Sequence, residues 1–453
     1  MLDPWTGEVV GEVVLASATE ARAAALRSVV AFGRTSKLSG YERRDALRKV
    51  SQSLGARAAE IAELIAKEAG KPITQAKGEV ARAVSTFELA AEESTRMNGE
   101  IMPLDISPAG KDTVGYWTRV PAGPVLGIAP FNFPLNLVAH KVAPALACGA
   151  SIVLKPPPQA PLTSILLAAI VKECFPVPDA LQVLPSDNDV AETLVRDSRF
   201  ATLSFTGSTK VGWHLRSIAG NKRVLLELGG NAAVLVHEDN PVKDAAARVV
   251  SAAFAYAGQV CIKVQRLLVH RPIAESFVAE IVKRARHAGP RSPLDPETLL
   301  GPMIDVANAE RVEAWVNEAT QAGARPLTPF VREGARVHPM VLAVEGDGAG
   351  LKVVDEEVFG PVLVVQTYEA WQEALRLADR TRYGLQAGIF TDSNARIREA
   401  WDTLHVGGLV VNDVPTFRVD SMPYGGTRDS GIGREGVRFA MEEMTERKLL
   451  VMR

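Results

Sequence analysis

One thiol stands apart in this sequence. Cys261 lies in AGQVCI, between a Gly-Gln pair and apolar residues. A cysteine attacks only as its thiolate, a minority species at neutral pH for a pKa of about 8.5. Cys148 in ALACGA and Cys174 before FPVP read as packing residues. Upstream, LLELGGN sets Glu227 between leucines and a Gly-Gly pair. A carboxyl in such a setting reads as a general base of raised pKa, or as a salt-bridged structural group. PFNFPLN places Asn132 between two aromatics. Its amide is a neutral donor suited to a developing oxyanion, or a turn residue before Pro134.

Other residues suit a nucleotide. Lys155 ends SIVLK and is followed by three prolines, so it can reach a ribose or phosphate, or lie along the surface. In FTGSTKVG, Gly207 and Ser208 open a helix with Gly212 on its first turns. Free N–H groups and the dipole favour phosphate there, and a simple helix cap is an equal reading. The spacing is neither GxGxxG nor a P-loop. EEVFGPV supplies Glu357 for ribose hydroxyls and Phe359 for packing on a flat ring.

The elements that must carry these residues alternate. From 124 onward, short apolar runs (PVLGIA, SIVLK, LQVL, TLSF) are separated by helix-length segments, and a second series runs from AAVLV through VQRLLVH. Continuous apolar strands between helices predict parallel sheets covered on both faces, with ligands beyond the carboxyl ends of the strands. Ahead of them, Leu47, Val50, Leu54, Ile61, Leu64 and Ile65 predict an amphipathic helix from Glu42 to Gly70, and Glu79 to Glu93 another. The stretches 103–121 and ERKLLVMR predict extra strands forming a small arm. The fold expected is α/β: a doubly wound dinucleotide-binding domain (1–102 and 122–229), an α/β catalytic domain (230–430) and the arm (103–121 and 431–453). The arm's open edges predict pairing between subunits, hence a homodimer or homotetramer.

Composition excludes other classes. The 453 residues carry a net charge of −2, which leaves no basic surplus for nucleic acid. No apolar run reaches the ~18 residues of a membrane span. The opening MLDPWTGEVV has no basic and apolar leader pattern. Three scattered cysteines without a CxxC pair fit a reducing compartment, with neither a metal site nor a disulfide framework. A cytoplasmic enzyme is the expectation.

The ordered set PFNFPLN, LKP, FTGSTKVG, ELGGN, GQVC, EEVFGPV and PYGGTRDSGIGREG resembles the aldehyde dehydrogenase superfamily over nearly the whole chain. The 34-residue spacing from Glu227 to Cys261 and the 23-residue spacing from Asn132 to Lys155 agree with it. The resemblance implies Cys261 as nucleophile, Glu227 as general base and Asn132 as oxyanion donor. It implies NAD or NADP held by Lys155, Ser208, Glu357 and Phe359. Lys141 and Glu435 also match family positions. Relatives specific for NAD often carry Glu where this chain has Pro158. Neither repulsion of a 2′-phosphate nor a positive partner for it is then present, and both cofactors stay open.

GQVCIKVQRLLVH and NDVPTFRVDSMPYGG are similar to the branch with phosphonoacetaldehyde, lactaldehyde and non-phosphorylating glyceraldehyde-3-phosphate dehydrogenases. Arg418 before the PYGG turn suits a phosphonate, phosphate or carboxylate. Arg82 resembles a tunnel-facing position, or makes a helix-surface salt bridge. Val260 stands where phosphorylated-aldehyde relatives can carry Arg, which keeps lactaldehyde and succinic semialdehyde in play. A coenzyme A-acylating reaction is less favoured because Glu227 is present. A Cys–His hydrolase would need a histidine partner, and His270 after Cys261 forms no such signature.

Overall fold

The computed structural model describes residues 1–240 and 242–453. Its first sheet has six strands in the order Gly431–Ile432, Arg223–Glu227, Thr202–Thr206, Val125–Ile128, Ile152–Lys155 and Leu181–Val183. All neighbours run parallel except Gly431–Ile432. Successive residues feed cores on opposite faces. Val125 and Ile152 join the helices Gly40–Ala56, Ile73–Glu93 and Asn136–Cys148, whereas Leu126 and Val153 join the side of Ala18–Thr35. The sheet is therefore doubly wound, as its continuous apolar strands require.

The second sheet has seven strands: Arg325–Pro326, Met340–Ala343, Val362–Tyr368, Val264–His270, Ala232–Val236, Gln386–Phe390 and Gly408–Val411. It too splits its strands between two cores, with Val234 and Leu267 on one side and Leu235 and Leu268 on the other. Arg266 crosses this interior fully buried. Its guanidinium donates to Asn231 and to the carbonyls of Leu377 and Ala378, which satisfies the charge where no water reaches.

The arm is a three-stranded antiparallel sheet of Glu100–Pro103, Val114–Pro121 and Thr445–Met452. Two expectations change here. The arm opens at Glu100 rather than 103, and of 431–453 it takes only the last strand. Gly431–Ile432 pairs with Leu226 and Glu227, and helix Val437–Glu443 packs its buried Val437 and Met441 into the first domain's core. The expected single helix from Glu42 to Gly70 is two, Gly40–Ala56 and Ala58–Ala69. Arg57 leaves helical geometry at φ −105°, ψ 18°, yet Leu47, Leu54, Ile61 and Ile65 stay fully buried across the break. Apolar spacing alone does not reveal such a break. Gly70 ends the second helix in the left-handed conformation, the role its position suggests.

Candidate active site

Strand register gathers the sequence motifs. Ile128 lies opposite both Lys155 and Phe205, and Thr206 lies opposite Glu227. Asn132, Lys155, Gly207, Ser208 and Glu227 thus follow or end adjacent strands along one carboxyl edge. The second domain closes over this edge through Gly229-Gly230. A Cβ on Gly230 would stand 2.5 Å from the Cys261 carbonyl oxygen, and one on Gly229 2.2 Å from Glu357 Oε2. At Gly230 the obstacle is backbone, so only glycine permits that approach.

The turn that delivers Cys261 is strained. Tyr256, Ala257 and Gly258 all have positive φ, at 51°, 53° and 67°. Non-glycine residues in this region cost roughly 1–2 kcal/mol each. Surrounding contacts hold them there. Tyr256 donates its hydroxyl to Ala69 O (2.9 Å), and Gln259 Oε1 accepts from the Ile304 N–H (2.9 Å). Asn132 is 3% exposed, and its Nδ2 donates to the Gln259 carbonyl at 3.0 Å. Its loop is pinned by Glu79, which accepts from the N–H groups of Leu135 and Asn136 and pairs with the buried ammonium of Lys71.

The nucleophile's surroundings are apolar and crowded with charge just beyond. Burial pushes the Cys261 thiol up to about 11, and Glu357 and Glu227 add to this, while a hydrogen bond from Tyr424 and the charge of Arg418 oppose it. Glu227 is raised well above the usual carboxyl range, first by burial and next by Glu435, with Arg418, Lys141 and Arg434 opposing. Its Oε2 is buried without a hydrogen-bond partner among the described residues. Behind it, Lys141 donates to Thr206 Oγ1 (2.6 Å) and lies 3.6 Å from Glu435, which pairs with Arg418 at 2.8 Å.

Cys261, Phe133, Tyr424, Thr416, Arg82 and Arg418 line one cavity. Neither arginine stands alone. Arg82 grips Asp420 through two bonds (2.7 and 3.2 Å), and Asp420 also meets His140 (2.8 Å) and Asn136 (3.2 Å). Arg82 lines the cavity, and its salt bridge runs to Asp420 on a distant loop rather than along its own helix surface. Sequence reasoning missed Asp420, Gln259 and Tyr424. Tyr424 was in view within the PYGG turn, but nothing in a sequence tells which side chain will meet a distant thiol.

The residues expected to hold a nucleotide come from both domains. Lys155 is 5% exposed at a strand end, with its pKa lowered by burial. Ser208 is exposed and caps helix Thr209–Ile218, accepting from the Val211 N–H at 3.4 Å, so the capping role is real. Glu357 accepts from the Gly230 N–H (3.1 Å) and is raised to about 7 by burial. Phe359, at φ 46°, meets Phe131 edge-on at 5.9 Å, one residue from Asn132. A buried ammonium, a helix N-terminus and a buried carboxyl fit phosphate and ribose groups. Pro158 is exposed on a cleft shared with Pro156, Pro157, Ser186 and Glu12.

At the carboxyl ends of the neighbouring interior strands Ala232–Val236 and Val264–His270, His237, Glu238 and His270 bring potential ligand atoms within 4.8 Å of one another. The two imidazoles stack at 4.3 Å in nearly parallel planes, so no ion can lie in both.

The model of the aldehyde dehydrogenase family matches residues 1–450. The chain belongs to that family. As an aldehyde dehydrogenase it uses NAD or NADP to oxidise an aldehyde. It is 39% identical over 453 residues to a 3-sulfolactaldehyde dehydrogenase of Priestia aryabhattai, covering all of this chain and 94% of the relative. It is 37% identical over 459 residues to a lactaldehyde dehydrogenase of Methanocaldococcus jannaschii, covering 100% and 96%. Among solved structures, aldehyde dehydrogenase 21 of Physcomitrella patens, bound to its product succinate, superposes with TM-score 0.97 at 40% identity over 100% and 94% of the two chains. The GapN glyceraldehyde-3-phosphate dehydrogenase of M. jannaschii, bound to NADP, gives 0.95 at 35% over 100% and 98%. No helix of this aldehyde dehydrogenase is long and apolar enough, among the described residues, to cross a membrane.

Proposed function

We propose that this enzyme oxidises a small anionic aldehyde to the free carboxylate, with Cys261 as nucleophile, Glu227 as base and Asn132 as oxyanion donor. The observation that carries the reading is the cavity that Cys261 shares with Arg82 and Arg418. Two guanidiniums there suit a phosphonate, phosphate, sulfonate or carboxylate. The names of two relatives point the same way, since sulfolactaldehyde carries a sulfonate and succinate a second carboxylate, whereas the lactaldehyde of a third is neutral. Val260 adds no third cation, and Asp420 and Glu435 already engage the two arginines. Neutral lactaldehyde is the alternative.

The chemistry follows from the residues. The Cys261 thiolate adds to the aldehyde carbon and the carbonyl becomes an oxyanion. The amide of Asn132, released from Gln259, stabilises that charge together with the Cys261 N–H, at about 3 kcal/mol per donor. The bound nicotinamide supplies the hydride acceptor. Collapse of the oxyanion leaves a thioester on Cys261. Glu227 takes a proton from the water that attacks it, the carboxylate departs, and the thiol is restored. Lys155, Ser208 and Glu357 would hold the nucleotide, and Phe359 would pack on its reactive ring. The cleft at Pro158 has no lysine or arginine on it, while Glu12 lies farther along it. Both NAD and NADP are accommodated in this reading.

The test is reduced-nicotinamide formation with phosphonoacetaldehyde, glyceraldehyde 3-phosphate, sulfolactaldehyde, succinic semialdehyde, lactaldehyde and propanal, each with NAD and with NADP. The proposal expects kcat/KM for one anionic aldehyde to exceed the neutral ones by ~100-fold, about 2.7 kcal/mol. Equal rates for neutral aldehydes would remove the anionic reading.

A further inference from the structure

We propose that Tyr424 is a catalytic residue. Its hydroxyl donates a hydrogen bond to the Cys261 sulfur and raises the share of thiolate, and Arg418 strengthens that donor from the face of the ring. The proposal rests on the reading of Cys261 as the nucleophile. Tyr424 Oη lies 3.2 Å from Cys261 Sγ, within the cavity that both line, and Tyr424 is 3% exposed.

The phenol is held in place from two sides. An antiparallel bridge ties the Tyr424 backbone to Glu435, with N–H···O bonds of 3.1 and 2.6 Å. The Glu435 carboxylate in turn holds Arg418, whose guanidinium lies 3.8 Å from the Tyr424 ring centroid. Few arrangements are better placed to polarise an O–H. The cation draws density from the ring, and the hydroxyl oxygen lies 3.2 Å from the atom that must become negative.

The need for such a donor is plain. With the Tyr424 bond already in place the thiol stands at about 11, thiolate in only ~1 of 10⁴ molecules at pH 7, and without that bond the share would fall further. The charges facing the sulfur are Glu357 and Glu227, which oppose ionisation, and Arg418, which favours it. Around the phenol stand Arg418, Glu227 and Cys261 itself. Burial keeps the phenol protonated far above its usual range. Tyr424 therefore loses no proton. The thiol releases its own to solvent, and the phenol O–H donates to the sulfur anion left behind.

The experiment measures alkylation of Cys261 by iodoacetamide from pH 6 to 10 in the full-length enzyme, with the labelled site identified by mass spectrometry. Tyr424→Phe preserves ring and packing. It is expected to slow labelling about tenfold at each pH across this range, which lies below the midpoint of the thiol, as the loss of a hydrogen bond to a charged group implies. Tyr424→3-fluorotyrosine, with a more acidic phenol, is expected to speed labelling across the same range. An unchanged curve in both variants would overturn the role of Tyr424. Failure of the nucleophile reading looks different: Cys261→Ser would keep its turnover whatever the behaviour of the tyrosine variants.

Discussion

Arg418 and Glu435 form a 2.8 Å ion pair whose side chains are only 6% and 4% exposed. Burial raises the Glu435 carboxyl, but Lys141 and Arg418 outweigh it and hold the group below the usual range. Removing one partner of a buried pair leaves the other uncompensated. Glu435→Gln is expected to cost about 3 kcal/mol in a denaturant titration at pH 7. Because the folded pKa is the depressed one, this stabilisation is present above the unfolded value near ~4.3 and fades as pH falls through the folded value. The gap between wild type and Glu435→Gln should therefore narrow below pH ~4. A gap independent of pH would mean that the pair is not the source of the stability.

Asn132 spends its resting amide on the Gln259 carbonyl. Asn132→Ala is expected to lower kcat by ~10²–10³, the usual loss for one oxyanion donor. KM should change far less. Steady-state kinetics on the preferred aldehyde checks this, and a change confined to KM would assign Asn132 to substrate binding instead.

Glu227 serves as a base only when ionised, and burial raises its pKa. Where deacylation limits turnover, kcat should rise with pH along a limb well above the ~4.3 of an ordinary glutamate. Glu227→Gln is expected to lower kcat by ~10²–10⁴ and to abolish that limb. Stopped-flow absorbance would still register the first formation of reduced nicotinamide.

Arg82 and Arg418 should discriminate by charge. Arg82→Met is expected to reduce kcat/KM for the anionic aldehyde by ~10–100-fold, the worth of one charged hydrogen bond, and to leave neutral aldehydes within a few-fold. Equal losses on both classes would make the Arg82–Asp420 pair purely structural.

Much of this enzyme is legible in its sequence, for stated reasons. The strands that lead to Asn132 and Lys155 are apolar runs because both faces of their sheet are covered. Chemistry-bearing residues follow such strands because carboxyl edges are where parallel sheets leave room. Other features were not legible. The break at Arg57 interrupts no apolar period. Gly431–Ile432 joins the first sheet by a two-residue antiparallel pairing too short to carry any alternation. The contact of Tyr424 with Cys261 spans 163 residues, a separation on which no local pattern reports. The partners of Arg82 and Arg418 lie on loops whose course only the folded chain sets.

The exposed strand Thr445–Met452 presents Leu449 and Val451 at 54% and 47% exposure along an open edge. We propose that it pairs between subunits, giving a dimer or tetramer. Sedimentation should find a species larger than the 48.6 kDa chain, and Leu449→Glu should shift it toward that mass. A wild-type monomer would remove the proposal.

The most direct test of the central claim is intact-protein mass spectrometry of Glu227→Gln after mixing with aldehyde and NAD or NADP. The account predicts an acyl adduct of aldehyde mass less one hydride and one proton gained per chain, mapped to Cys261, with one reduced nicotinamide formed for each. An unmodified Cys261 alongside continued turnover would contradict it.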